Sequence, residues 1–155
     1  MELKFKNEEA KWSYLAAIID TDGCTGITRS VCKGLSKSHR KNRVNFSTYI
    51  IVSNTNLEWI ASLIETFGGG YHRIHRQYGM GNKPVADWKL RANRMRKIIP
   101  KIEPYLFIKK RQCELVKRAL EILKDRTRSG IILPYSKELD KIWRECKILN
   151  QKGIK

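Results

Sequence analysis

The stretch Trp12-Ser-Tyr-Leu-Ala-Ala-Ile-Ile-Asp-Thr-Asp-Gly23 is an apolar run that ends abruptly in two carboxylates and a glycine. We predict a helix over residues 8–21. It has no polar stripe between Tyr14 and Ile19, so we expect it to be covered on all sides, partly by the chain's own core and partly by a second surface. The paired Ala16 and Ala17 would let another helix approach closely. A glycine such as Gly23 is typical of the position after a helix end.

The two carboxylates of this stretch are predicted to have different roles. Residues two positions apart do not share a helical face, so we expect Asp20 to close the helix and Asp22 to face outward. Carboxylate and backbone carbonyl oxygens are the hard ligands that Mg²⁺ prefers. The alternative is that both aspartates only cap and solubilise the helix end, because Asp near Gly is common in turns.

The composition limits the classes of partner. The 155 residues predict one domain over 1–155, and 32 Lys and Arg against 15 Asp and Glu give a net charge of +17. Such a charge favours a polyanion, with nucleic acid ahead of an anionic membrane surface. No run approaches the ~20 apolar residues of a membrane span. Double-stranded DNA is the expected partner, and no membrane partner is expected. No secretory signal is found, which predicts an intracellular protein. The sequence does not distinguish a prokaryotic cytoplasm from an organelle.

The residue types that build other kinds of site are scattered. Four cysteines lack a C-x-x-C pair, so reduced thiols are expected rather than a zinc site or disulfides: Cys24, Cys32, Cys113 and Cys146. The three histidines show no metal-ligand spacing, and neither a phosphate-binding loop nor a dinucleotide fingerprint is present.

Hydrophobic periodicity predicts an α+β chain of order αββαββα with additional C-terminal helices. Strands are expected at 24–31 and 44–52, followed by a helix that Asn54 or Asn56 caps and that ends at Phe67. A second hairpin covers 71–78 and 85–91. Further helices are predicted at 92–102, 108–125 and 136–150.

Four antiparallel strands with helices on one face leave the other face wet. Polar and basic side chains predicted there suit the reading of a DNA major groove, and they are Thr28, Ser30, Asn45, Ser47, Tyr49, Arg73, His75, Gln77, Asp87, Lys89 and Arg91. The loop after the first strand adds candidate phosphate contacts at Lys33, Lys37, Arg40, Lys41 and Arg43. The alternative is an ordinary solvated sheet face and hairpin tip, although such a face is expected to carry more Glu.

The stretch Leu15-Ala-Ala-Ile-Ile-Asp-Thr-Asp-Gly23 resembles the LAGLIDADG signature of homing endonucleases, with departures at Ala17, Ile18 and Thr21. The chain contains one copy of the motif and in this is similar to the single-motif, homodimeric branch of the family. The resemblance extends over nearly the whole chain. It implies an antiparallel DNA-binding sheet and an intron-encoded, site-specific endonuclease. Such an enzyme cuts a long pseudo-palindromic site in double-stranded DNA by metal-dependent phosphodiester hydrolysis and leaves short 3′ overhangs.

The resemblance also implies roles for residues of the motif. Asp22 and the Thr21 carbonyl would ligate Mg²⁺, for which Mn²⁺ or Ca²⁺ could substitute. Two motif helices would pack side by side in the homodimer, through an interface expected at Trp12, Leu15, Ala16, Ile19 and Asp20. Asp20 is assigned to structure at the interface end of the helix.

Two further positions match the family. Lys109, in Glu103-Pro-Tyr-Leu-Phe-Ile-Lys-Lys-Arg-Gln112, resembles the active-site lysine. Alternatively, Lys109 is one surface lysine among many, or the match is displaced by one residue to the adjacent Lys110. Asn54, in Val52-Ser-Asn-Thr-Asn56, stands where the family often has a water-positioning Gln, or it caps the following helix. Glu58 replaces a basic residue common near that helix start.

Other functions stay open at this point. The same fold could serve an RNA-binding maturase that acts on its host intron RNA, or a DNA-binding protein that has lost cleavage; Asp22 and Lys109 argue against such a loss. A ribosomal-type RNA-binding domain fits the charge, but it has little use for paired acids that face phosphates.

Overall fold

The computed structural model describes residues 3–32, 43–74, 84–127 and 135–151. In this part of the chain, helix α1 (Glu8–Thr21) precedes strands β1 (Gly23–Cys32) and β2 (Arg43–Asn54). Helix α2 (Leu57–Phe67) precedes β3 (Gly70–Ile74) and β4 (Val85–Leu90). Helix α3 (Ala92–Ile102), a single 3₁₀ turn, α4 (Lys110–Thr127) and α5 (Lys137–Leu149) follow. The predicted αββαββα order with additional C-terminal helices is confirmed.

Local signals define both ends of α1. The side chain of Asn7 accepts a hydrogen bond from the Ala10 N–H at 2.8 Å and caps the first turn, where Glu8 and Glu9 also lie. At the other end, Gly23 begins β1 directly against the helix. A Cβ at Gly23 would lie 2.6 Å from the carbonyl oxygen of Ile19, so the close approach of strand to helix requires glycine there. This approach fixes Asp22 at the junction of helix and sheet.

The four strands form one antiparallel sheet of order β1-β2-β4-β3. Its register pairs Thr28 with Ser47 and Ile51 with Lys89 on one side, which we call the open face. The other side, called the covered face, includes the fully buried side chains of Ile50 and Trp88. The faces predicted for β1 and β2 are confirmed, because every buried side chain that the structure describes in these two strands lies on the covered face.

The hydrophobic core lies between the covered face and the helices. Side chains from α1, α2, α3, α4 and α5 join those of the sheet in one buried cluster. Trp88 lies in this cluster, and its indole N–H donates to the carbonyl oxygen of Gly68 at 2.7 Å, which ties β4 to the end of α2. At Gly68 the chain turns with a φ of 70°, in the left-handed region that favours glycine.

Helix α5 packs on β1 through polar contacts. Arg29 forms an ion pair with Asp140 at 3.1 Å, and the Asn150 amide donates to the Thr25 carbonyl oxygen at 2.9 Å. The arginines around Asp140 help to hold its pKa below its usual value, although desolvation at this position raises it. Residues 135–150 therefore stabilise an edge strand that would otherwise expose unpaired backbone groups.

Three cysteine side chains lie among the described residues. Cys113 and Cys146 are buried and Cys24 is exposed, and all three are free. Burial raises the pKa of Cys113 to about 12 and that of Cys146 to about 11, so both stay protonated near neutral pH. Within the described ranges, none of the helices has both the length and the apolar character needed to cross a bilayer.

Candidate functional site

Asp22 lies at the C-cap of α1, and its side chain is exposed. Its backbone N–H donates to the carbonyl oxygen of Ile18 at 2.9 Å and closes the helix. Among the residues that the structure describes, none forms a hydrogen bond or ion pair with the Asp22 carboxylate. Both oxygens are therefore open to a ligand from solvent, as the outward orientation predicted for Asp22 requires.

Thr21 complements Asp22 through its backbone. The Thr21 hydroxyl donates back to the Ala17 carbonyl oxygen at 2.9 Å, so this side chain is turned onto its own helix. The Thr21 carbonyl belongs to the last turn of α1, where carbonyl oxygens lack intrahelical partners. A carboxylate beside a carbonyl at a helix C-terminus is a hard oxygen donor set that fits Mg²⁺.

Asp20 does not close α1 as predicted, because the C-cap is Asp22. It supports the helix end instead, through a contact that the sequence did not reveal. Its two carboxylate oxygens accept backbone N–H groups from Phe107 at 2.8 Å and from Lys109 at 2.9 Å. Only 8% of the residue is exposed. These bonds hold residues 107–109 across the last turn of α1, so α4 begins at Lys110 rather than at the predicted residue 108.

Lys109 is thereby placed at the motif end of α1. Its ammonium group donates to the backbone carbonyl oxygen of Asp20 at 2.9 Å, two residues before Asp22. A cation at a helix C-terminus is favoured by the helix dipole. Lys110 is exposed, and Arg111 pairs with Glu145 at 2.6 Å. Of the three adjacent cations, Lys109 is therefore the one whose side chain contacts α1.

The open face carries most of the predicted reading residues on the strands that the structure describes. Their side chains are exposed or partly exposed, and they are Thr28, Ser30, Asn45, Ser47, Tyr49, Asp87 and Lys89, with Arg91 just beyond β4. The Thr28 and Ser47 hydroxyls share a hydrogen bond of 2.6 Å. Burial, with the nearby Cys24 thiol, raises the pKa of Tyr49, so Tyr49 presents a neutral hydroxyl. The face therefore offers donors and acceptors side by side.

The prediction of which β3 residues lie on the open face is wrong. The register pairs Arg73 with Ala86, which is fully buried, and it pairs His72 with Asp87. Arg73 therefore occupies a position on the covered face, and His72 occupies the position on the open face. His75 and Gln77 lie outside the described residues, as do Lys33, Lys37, Arg40 and Lys41. Arg43 is described only by its backbone, as the partner of Cys32.

Sequence reasoning left Ser53 out of the reading set. This exposed residue lies near the end of β2 and donates a hydrogen bond of 2.6 Å to a carboxylate oxygen of Asp87. The two residues are direct partners in the register. The alternation of β2 was the signal that could have found Ser53, because it follows Ser47, Tyr49 and Ile51 on the same face.

The interface predicted on α1 is corrected. Leu15, Ala16 and Ile19 are 0% exposed in the single chain, so they have no surface to offer a second copy. Asp20 is engaged by residues 107–109, and Trp12 is half-buried, with its ring 5.8 Å from that of Phe67. The residues of this helix turn that do face solvent are Ala17 and Thr21. In the single chain α1 is therefore uncovered on the side of Ala17, and its covering by a second surface stays a prediction.

Asn54 makes a local contact at the start of α2. Its side-chain oxygen accepts the N–H of Asn56 at 2.8 Å, and Asn56 in turn caps α2 by accepting the N–H of Trp59 at 3.0 Å. Asn54 pairs with Ala86, on the covered face. The role in positioning water stays a prediction. Glu58 lies exposed in the first turn of α2, where a negative charge suits the helix dipole.

Over the described ranges, no cluster of three or more His, Cys, Asp or Glu side chains could hold a metal ion. One chain thus contributes a single exposed carboxylate at the end of α1, together with the Thr21 carbonyl. An ion at this position would need its remaining ligands from water, from a phosphate or from another molecule.

The sequence and the fold were compared with known proteins. No protein-family model matches the sequence, and the search of curated proteins found no match. Among solved structures, the chain is similar to the homing endonuclease I-CvuI in complex with DNA, at a TM-score of 0.68 and 16% identity over 96% of this chain and 87% of that one.

Two further structures show the same likeness. The archaeal intron-encoded homing endonuclease I-Vdi141I, complexed with DNA, matches with a TM-score of 0.69 and 18% identity over 96% of this chain and 89% of that one. The LAGLIDADG homing endonuclease I-LtrWI, bound to its target DNA, matches with a TM-score of 0.56 and 20% identity. The match covers 90% of this chain and 50% of that one. By its strand order, its buried motif helix and these likenesses, the chain has the fold of the LAGLIDADG homing endonucleases.

Proposed function

We propose that the protein is a site-specific endonuclease that cuts double-stranded DNA as a homodimer with bound Mg²⁺. The observation that carries this proposal is the exposed Asp22 carboxylate beside the Thr21 carbonyl, at the junction of α1 and the sheet. The fold supports it, because the similar structures are homing endonucleases in complex with DNA. The net charge of +17 supports a polyanionic substrate.

Each residue of the site has a distinct task in this proposal. Asp22 and the Thr21 carbonyl would hold the divalent cation, which supplies charge neutralisation at the phosphate and a more acidic water. Lys109 lies against the end of α1 and would stabilise negative charge that develops on the phosphate. Asp20 keeps the segment of Lys109 in place. The open face reads the bases, and exposed cations contact the DNA backbone.

The homodimer is inferred from surface left uncovered on the single chain. Ala17 and Thr21 leave a small, open side on α1. Beside them, residues 107–109 cross the helix end and expose two large apolar side chains, Phe107 at 89% and Ile108 at 69%. Exposed apolar surface of this kind marks interaction sites. A second copy packed here would bring two Asp22 carboxylates together, as the match of this chain to half of I-LtrWI also favours.

Replacing Ile108 by Glu tests this interface, with Ile148 as a matched control. Ile148 lies on α5 and is 62% exposed, so Ile148→Glu makes the same chemical change on another surface. Ile108→Glu should raise the dimer dissociation constant at least ~10-fold, because a charge would be buried between the subunits. Sedimentation equilibrium measures the constant. Equal constants for the two variants would contradict the interface.

Replacing Lys109 by Met should slow cleavage by about 10²-fold, because a cation at the phosphate stabilises the transition state. Lys110→Met is the matched control, since Lys110 is exposed in the next position. Single-turnover cleavage of a bound target measures the effect. If Lys110→Met slowed cleavage as strongly as Lys109→Met, the loss would reflect DNA binding rather than a role at the phosphate.

The function itself is tested by selection from a randomised DNA library. With Mg²⁺, the protein should cut one near-palindromic sequence of about two helical turns, as expected for a symmetric dimer, and EDTA should stop cleavage. Affinity should fall steeply with salt. Selective binding without cutting would instead support a DNA-binding protein. Preference for the host intron RNA over duplex DNA would support a maturase.

A further inference from the structure

Asp87 is an acidic residue on the open face, whose other described residues are neutral or cationic. It lies on β4, partly exposed, between the register positions of Ser53 on β2 and His72 on β3. Among the residues of the open face that the structure describes, Asp87 is the one carboxylate. On a chain of net charge +17, a carboxylate toward phosphates weakens DNA binding unless it accepts a hydrogen bond from the DNA.

The Asp87 carboxylate is held in one orientation. The Ser53 hydroxyl donates to one of its oxygens at 2.6 Å, a length typical of a hydrogen bond to a charged acceptor. Ser53 and Asp87 are direct cross-strand partners, so both side chains rise from the same place on the face. Among the described residues, Ser53 is the one that bonds this carboxylate, so one oxygen is engaged and the other is left to accept from a ligand.

Base edges in the major groove offer few donors to such an acceptor. The amino groups of cytosine N4 and adenine N6 are the donors there, and Asp and Glu pair with cytosine N4. Adenine presents a neighbouring N7 acceptor that repels a carboxylate, whereas cytosine does not. We therefore propose that Asp87 determines specificity by accepting a hydrogen bond from a cytosine amino group, with Ser53 as its positioning residue. This assignment rests on the proposed function.

The register also locates the base that Asp87 reads. Val52 pairs with Gly23, the residue after Asp22, and Ser53 is the next residue along β2. The Ser53–Asp87 pair therefore lies at the end of the sheet nearest the motif. The cytosine belongs to the inner part of each half-site, close to the scissile phosphates, and occurs once in each half because the dimer is symmetric.

The test is a binding selection from a randomised duplex library with the wild type, Asp87→Asn, Ser53→Ala and Glu121→Gln. Glu121 lies exposed on α4, so Glu121→Gln controls for the change in charge. The wild type and Glu121→Gln should select cytosine at one symmetric pair of inner positions. Asp87→Asn should lose that preference by about 10-fold or more and gain adenine there, because Asn pairs with adenine. Ser53→Ala should weaken the preference without changing the base.

The outcomes separate this assignment from the proposed function. If wild type and Asp87→Asn select the same bases at every position, Asp87 does not read the DNA. If Asp87→Asn selects the same sequence but no longer cleaves it, Asp87 takes part in the cleavage reaction. That result would contradict the role of Asp87 in base recognition but would support the endonuclease function. If the wild type selects no sequence at all, both the proposed function and the assignment fail.

Discussion

Asp22→Asn is expected to reduce DNA cleavage by at least ~10³-fold while leaving binding of the target intact. Asparagine keeps the size of the side chain but loses the negative charge that attracts a divalent cation. The Asp22 side chain is exposed and makes no bond to any residue in the described ranges, so the fold loses nothing. Target affinity should stay equal or rise slightly, because a negative charge near the phosphates is removed.

Cleavage and binding of the selected target, followed separately for wild type and Asp22→Asn, measure this effect. Mn²⁺ in place of Mg²⁺ gives a second comparison, since the wild type alone should respond to the identity of the metal. Cleavage by Asp22→Asn at the wild-type rate would contradict the assignment of Asp22 and the metal site built on it. Loss of target binding would mean that Asp22 holds the structure rather than the cation.

Asp20→Ala should lower the free energy of unfolding by about 3–5 kcal/mol. Both Asp20 oxygens accept backbone N–H groups, and hydrogen bonds to a charged partner contribute about 1.5–3 kcal/mol each. Alanine leaves those two N–H groups without their acceptors. Asp20→Asn should have a smaller effect, because the amide retains one acceptor oxygen.

Urea denaturation at one fixed protein concentration measures this loss, and a fall in Tm of roughly 10 °C should accompany it. Asp22→Asn is the internal comparison, since it changes the same residue type two positions away and should unfold like the wild type. An Asp20→Ala variant as stable as the wild type would show that residues 107–109 are held by other contacts. Cleavage should also fall in Asp20→Ala, because Lys109 loses its support.

Local patterns were sufficient for the elements of the chain. The apolar run before Asp20 and the acids at its start predicted α1 over residues 8–21, as observed. Strict alternation in β1 and β2 predicted which residues reach the open face, because successive residues of a strand point to opposite sides. The different roles of Asp20 and Asp22 followed from their spacing, since two positions along a helix turn a side chain by about 200°.

The remaining features depended on contacts between distant segments. The phase of β3 was wrong, because a one-residue shift in register exchanges the two faces of a strand, and the pairing with β4 places Arg73 opposite Ala86. The apolar residues of α1 could not be divided by sequence into inner and outer sides. Only packing shows that Leu15 and Ile19 are buried while Ala17 is exposed.

The sequence by itself therefore determined the order of helices and strands, the open face of the first hairpin and the exposed acid of the motif. These features arise from residues within a few positions of each other, where helical and strand periodicity act. The tertiary structure decided that Asp20 binds residues 107–109, that Lys109 lies against the end of α1 and that Ser53 orients Asp87. Such contacts join residues 34 to 89 positions apart, and only the packing of the whole chain brings them together.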